Sequence, residues 1–284
     1  MSRSARFAAV ALTLKLVLGT LAFVWILWTV RNVNPRAVGM TLTFPTLNGI
    51  VLLTVTDKLA DEIIVGIFPL MFFNSLLPAL FIALRRGFHE WLAIAICLLI
   101  WAALAVFFEW PTIWPYRSNI AVATGILICI CAAWAFWRLR QTGQPLPPPP
   151  ARSEGLRDFL RDRGERIFWF VVSFLIVSLV AYAFADAHSL VGRLSALPLV
   201  PLFVLHWAVN ARRADLGELR IAALIGPVAV MGFLLVFAGT LGFIRTADGV
   251  LSPWYWPIGL AALLIEWELT RLAIIGISRL TYRI

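Results

Sequence analysis

The fold class this sequence predicts is an all-α polytopic membrane protein, and three observations predict it. Of the 284 residues, 61% are hydrophobic and only 14% are charged, against roughly 25% charged in soluble domains. Mean hydropathy is +0.89. The apolar residues gather into runs of the length a bilayer demands, about 20 residues each. The 24 basic and 15 acidic side chains could not cover a soluble fold of this size. Secreted disulfide scaffolds, disordered tails and ordinary cytosolic enzymes are thereby excluded.

Seven runs read as spans outright: 7–30, 63–84, 91–109, 119–137, 167–185, 221–244 and 257–276. Two shorter runs, 40–56 and 196–211, are interrupted by Pro45 and by Pro198 and Pro201, and read as short, kinked or re-entrant segments. Counting both gives about nine transmembrane helices, with eight as the alternative. In the nine-span arrangement the arginine-bearing loops 31–36, 85–90, 138–166, 210–220 and the tail from 278 share the inner side. Asp57, Asp61, Glu62, Asp186 and Asp248 fall on the outer side, where Arg3 and Arg6 offend the positive-inside rule that the inner arginines follow. The expected location is a bacterial-type inner (plasma) membrane, crossed many times, with the C-terminus cytoplasmic. Orientation accounts for the net charge of +9, carried by 22 arginines with Lys15 and Lys58, so nucleic acid is not an expected partner.

Three regions follow. Residues 1–137 form a first membrane unit of four spans together with the connecting span 119–137. Residues 138–166 form a Pro- and Arg-rich cytoplasmic linker, in which 144–150 is a stiff polyproline stretch and 154–166 an amphipathic surface helix. Residues 167–284 form a second membrane unit of four spans. Trp25, Trp28, Trp110, Trp114, Tyr116, Trp254, Tyr255 and Trp256 flank the spans and read as interfacial anchors. Cys97, Cys129 and Cys131 lie inside apolar runs as small hydrophobes, and His89, His188 and His206 are too scattered for a haem pair. No metal and no cofactor is expected.

Shifting the chain by 156 residues brings its two halves into register. The run 10–30 overlays 167–185, 40–56 overlays 196–211, and 63–84 overlays 221–240. Pro45 meets Pro201 and Glu62 meets Glu218; one further residue of offset brings Glu109-Trp110 over Glu266-Trp267. Four-span units joined by an odd connecting helix would be inverted repeats, an architecture common in secondary transporters. Phe44-Pro45-Thr46 in one half, and Pro201-Leu202-Phe203 with Glu218-Leu219-Arg220 in the other, resemble the GlpM-like membrane proteins. Those are small four-span chains with a Pro-Leu-Phe-Pro-Thr stretch in the second span, and Glu and Arg opening the third. This chain lacks Pro-Leu before Phe44 and Pro-Thr after Phe203. The resemblance implies a duplicated, fused four-span fold and a connection with exopolysaccharide production, but no established chemistry.

Charge inside a bilayer costs about 2.5–3.5 kcal/mol per residue on insertion scales, so each instance marks a candidate site. Glu266 falls about 14 Å into the last span, counting 1.5 Å per residue from Pro257, and has no cation on its own face. Glu268 and Arg271, three residues apart, can pair along the helix. Glu109 is the repeat counterpart of Glu266. His206 shares a helix face with Asn210 and can relay protons or hold a polar ligand. Asn48, after Pro45, and Asn74, before Pro78, can satisfy carbonyls that proline leaves without a donor, or line a substrate site. The His-x-x-x-Asn spacing occurs in membrane CAAX-type proteases, but their Glu-Glu-x-x-x-Arg motif is missing, and no catalytic set is expected.

These features point to a small secondary transporter, permease or flippase, with Glu266 and His206 on its polar path. The alternative is a non-catalytic accessory subunit of a larger membrane or envelope complex, polysaccharide or respiratory. The partners expected are membrane lipid and either a second copy of the chain or a larger membrane complex.

Overall fold

The computed structural model describes residues 35–44, 60–108, 112–142, 216–244 and 254–282, with isolated residues between 13 and 24, 49 and 53, 161 and 176, and 197 and 206. Among the described residues the secondary structure is helical throughout, without strands. The elements are α1 (Pro35–Thr41), α2 (Ala60–Leu84), α3 (Glu90–Phe107), α4 (Arg117–Gln141), α5 (Leu216–Ala222), α6 (Gly226–Ile244) and α7 (Tyr255–Leu280). A 3-10 turn at Trp114–Tyr116 precedes α4.

Four of these segments are long and apolar enough to cross a membrane: residues 67–84 of α2, the whole of α3, the whole of α4, and α5 with α6 taken as 216–244. They coincide with four of the expected runs. The expected run 257–276 forms α7, whose 26 residues make a rod about 39 Å long. Three charged residues near its middle set α7 apart from the other four. The expected spans 7–30, 40–56, 167–185 and 196–211, and nearly all of the linker, lie largely outside the described residues.

The run expected over 221–244 begins earlier and breaks once. Residues 223–225 form turns, in which Leu224 N–H donates to the Ile221 carbonyl at 3.1 Å and Ile225 N–H to that of Ala222 at 3.0 Å. Pro227 explains the break, because it has no N–H to offer the Ala223 carbonyl. α1 is short for a similar reason. It opens on Pro35, a residue suited to the first helical position, and tightens at Leu42 and Phe44 just before Pro45. α2, in contrast, runs continuously through Pro69 and Pro78.

α6 is the hub, packing on α7, α2, α4 and α1, while α1 packs closely on α5. Phe81, Leu234, Phe237, Leu263, Tyr255 and Trp267 fill the core between them. Lipid is as apolar as leucine, so close approach of small residues matters more here than apolar burial. A Cβ on Gly39 would lie 2.3 Å from the Leu219 carbonyl oxygen, and one on Gly226 would lie 2.4 Å from that of Met40. α1 and the α5–α6 break therefore cross backbone against backbone. The outer face of α4 is the opposite: Val122, Ile126, Ile130, Trp134 and Trp137 are exposed at helical spacing, a lipid-compatible stripe.

The segments expected to share one side do gather at one end of the bundle. Arg36, Arg85, Arg86, Thr142, Glu218, Arg220 and Thr281 all meet there through direct contacts or a common cleft. Three details differ from expectation. Arg36, expected in a solvated loop, is fully buried. Cys129 faces outward rather than into the core. Tyr255 is also buried, edge-on to Trp256 at 6.2 Å, while its neighbour Trp254 stays exposed as an anchor should.

Candidate functional site

α7 organises the first polar group. Its buried stripe is Tyr255, Gly259, Leu263, Trp267, Thr270, Ile274 and Ser278. At 100° per residue, Glu266 flanks this stripe on one side, and Glu268 with Arg271 flank it on the other. Glu266 turns toward α6, where its Oε1 lies 3.2 Å from the Thr240 hydroxyl. That hydroxyl also lies 3.0 Å from the Val236 carbonyl oxygen. A threonine hydroxyl has one proton. It can donate to the Glu266 carboxylate, or donate to Val236 and accept from a protonated Glu266. Glu266 Oε2 is buried without a hydrogen-bond partner, which leaves half of the carboxyl's capacity unused.

Glu268 and Arg271 form the pair their spacing suggests. Arg271 Nε donates to Glu268 Oε2 at 2.9 Å, and Nη2 donates to Oε1, a two-point fork. Both side chains remain partly exposed. The pair neutralises two charges on the flank away from Glu266 and does not reach it.

His206 belongs to a different cluster. Its Nδ1 contacts Glu90 Oε1 at the first turn of α3, and its ring stacks on Trp91 with centroids 6.2 Å apart. The contact is an ion pair when the imidazole is protonated. Glu90 and Trp91 lie at the arginine-rich end of the bundle, whereas Glu266 sits mid-way along α7. The structure thus separates the two leading candidates instead of joining them on one surface. Asn74 is buried at 7% exposure inside α2, four residues before Pro78, so its carbonyl is the one that Pro78 leaves without a helical donor. Asn48, Glu109 and Asn210 lie outside the described residues.

Sequence reasoning missed the most highly connected polar group. Arg36 Nε and Nη2 donate to the two oxygens of Glu218 at 3.0 and 2.7 Å. Nη2 also donates to the Thr142 hydroxyl at 2.8 Å, and Nη1 donates to the Thr281 carbonyl. The guanidinium lies 3.8 Å from the centre of the Tyr282 ring. One side chain thus ties together α1, α5 and the C-terminal ends of α4 and α7. Only arginine has the flat, forked donor set for this, and lysine could not replace it. The signal available in the sequence was Glu218, an acid entering an apolar helix, which demands a cation from elsewhere.

Comparisons of the chain with protein-family models, with curated proteins and with solved structures find no match.

Proposed function

We propose that this chain is a small secondary transporter, permease or flippase of a bacterial-type inner membrane, in which Glu266 is the titrating group of the polar path. The observation that carries the proposal is the Glu266–Thr240 contact between α6 and α7. A carboxyl held mid-helix, with one oxygen on a hydroxyl and the other free of partners, can gain or lose a proton by reversing one hydrogen bond. Coupling of proton movement to transport needs such a group. The crossing of two interrupted helical segments, α1 and α5–α6, adds support, because discontinuous helices build substrate sites in transporters.

The wider architecture belongs to the same proposal. Nine spans, with α7 the last, would place the arginine-rich end and the C-terminus in the cytoplasm by the positive-inside rule. Duplication of a GlpM-like unit in inverted orientation would account for the 156-residue register. On that register Glu62 falls over Glu218, and one residue beyond it Arg36 falls over Arg193.

The test is complementation of a deletion strain, with the amount of each variant in the membrane measured alongside. Glu266→Gln keeps the shape of the side chain but cannot ionise, and is expected to abolish complementation at wild-type abundance. His206→Ala is expected to impair it more mildly. Full complementation by both variants overturns the transport reading, and an accessory subunit of a larger envelope complex then becomes the better account.

A further inference from the structure

At the arginine-rich end, the turn after α2 and the start of α5 enclose a half-open cleft of about 380 Å³. Three arginines line it: Arg85 and Arg86 from the turn, and Arg220 from α5. Ile82 and Leu216 supply apolar wall, and Gly217 completes the lining. Among the described residues, none of the three arginines pairs with a carboxylate. The nearest carboxylate along α5, Glu218, has both oxygens committed to Arg36. Among the described residues, the Arg85 side chain makes a long 3.4 Å contact to the Phe88 carbonyl, and its Nε is buried with no partner. Three converging guanidinium groups, one with a buried donor to spare, form a site suited to an anion.

We infer that this cleft binds a phosphate group, presented either on an acidic phospholipid headgroup or as a free phosphate. Guanidinium groups match phosphate oxygens in shape and charge and bind them through paired N–H donors. The position favours the lipid source, because basic pockets at the end of membrane helices are where anionic headgroups dock. The apolar wall formed by Ile82 and Leu216 offers the start of an acyl chain a surface that free phosphate would not use. The inference does not depend on the transport proposal, since neither Glu266 nor His206 lines the cleft.

The test uses the full chain purified in a neutral detergent, with its thermal midpoint followed as lipid is added. Phosphatidylglycerol is expected to raise the midpoint saturably, while phosphatidylcholine does not. The double variant Arg86→Gln/Arg220→Gln changes two exposed side chains and should fold normally. Its apparent affinity for phosphatidylglycerol is expected to fall about tenfold or more. A control, Arg138→Gln/Arg140→Gln, removes equal charge from the exposed end of α4 and should retain the response. Inorganic phosphate at millimolar concentration separates the sources: a shift equal to that of the lipid would assign the site to free phosphate, and no shift would assign it to the headgroup. No response to either ligand overturns the inference. Equal loss in the control also overturns it, because binding would then follow net charge rather than the cleft.

Discussion

Arg36 and Glu218 show how much one side chain can hold inside this bundle. Their side chains are 0% and 8% exposed, so removing either leaves the other's charge stranded. Such uncompensated burial costs about 3–5 kcal/mol. Glu218→Ala is therefore expected to lower stability by about that amount, read as an earlier unfolding midpoint in detergent. The double variant Arg36→Met/Glu218→Leu removes both charges and should recover part of the loss. Recovery should be incomplete, because the Thr281 carbonyl and the Thr142 hydroxyl would still lack the donor Arg36 supplied. A double variant as unstable as Glu218→Ala would show that those two hydrogen bonds, rather than charge compensation, dominate. The sequence signalled that Glu218 needs a cation, but not that Arg36 supplies it. The partners of Arg36 lie 182 and 245 residues along the chain, and local pattern carries no information at that range.

At the scale of elements, two glycines set how closely α1 can approach α5 and α6. Gly39→Ala would press a methyl group into the Leu219 backbone carbonyl, which cannot swing aside as a side chain could. Overpacking of this kind costs about 1–3 kcal/mol. A Cβ on Gly87, in the turn after α2, would meet nothing within 4 Å. Gly87→Ala is accordingly expected to stay within about 0.5 kcal/mol of the parent. Comparing the two midpoints in one detergent checks the pair, and equal effects would show that the α1–α5 crossing is looser than the backbone distances imply. The long helices were readable in advance. Apolar runs at 63–84, 91–109 and 119–137 anticipated α2, α3 and α4 to within a few residues, because length and hydropathy alone define a span. α1 was not readable. Its seven residues are too few to show a period, and its burial comes from packing against segments distant in sequence.

At the scale of the whole molecule, α3 and α4, each packed on α2, run between two ends of the bundle. Gly87 and Arg140 lie at the arginine-rich end, and Thr112 lies at the other, all on exposed positions. With Cys97, Cys129 and Cys131 replaced first, the proposed orientation requires cysteines at Gly87 and Arg140 to react with an impermeant reagent only after cells are permeabilised. A cysteine at Thr112 should react in intact cells. Reaction of Gly87 and Thr112 from the same side would mean that α3 does not cross. The candidate site was partly legible at this scale. The mid-helix position of Glu266 and the Glu268–Arg271 pair followed from counting along one helix. The Thr240 partner of Glu266 and the Glu90 partner of His206 did not, because each comes from a separate helix whose rotation only packing decides.

The Arg36 cluster also imposes an order of events on synthesis. Arg36 is made first, and the Thr281 carbonyl that completes its shell follows 245 residues later. At 5–20 residues per second, that interval is roughly 10–50 s. Until Glu218 follows, 182 residues after Arg36, burial of the guanidinium would strand its charge. The arginine-rich end can therefore close only once α5 is made, and the Thr281 carbonyl then fastens α1 to the end of α7.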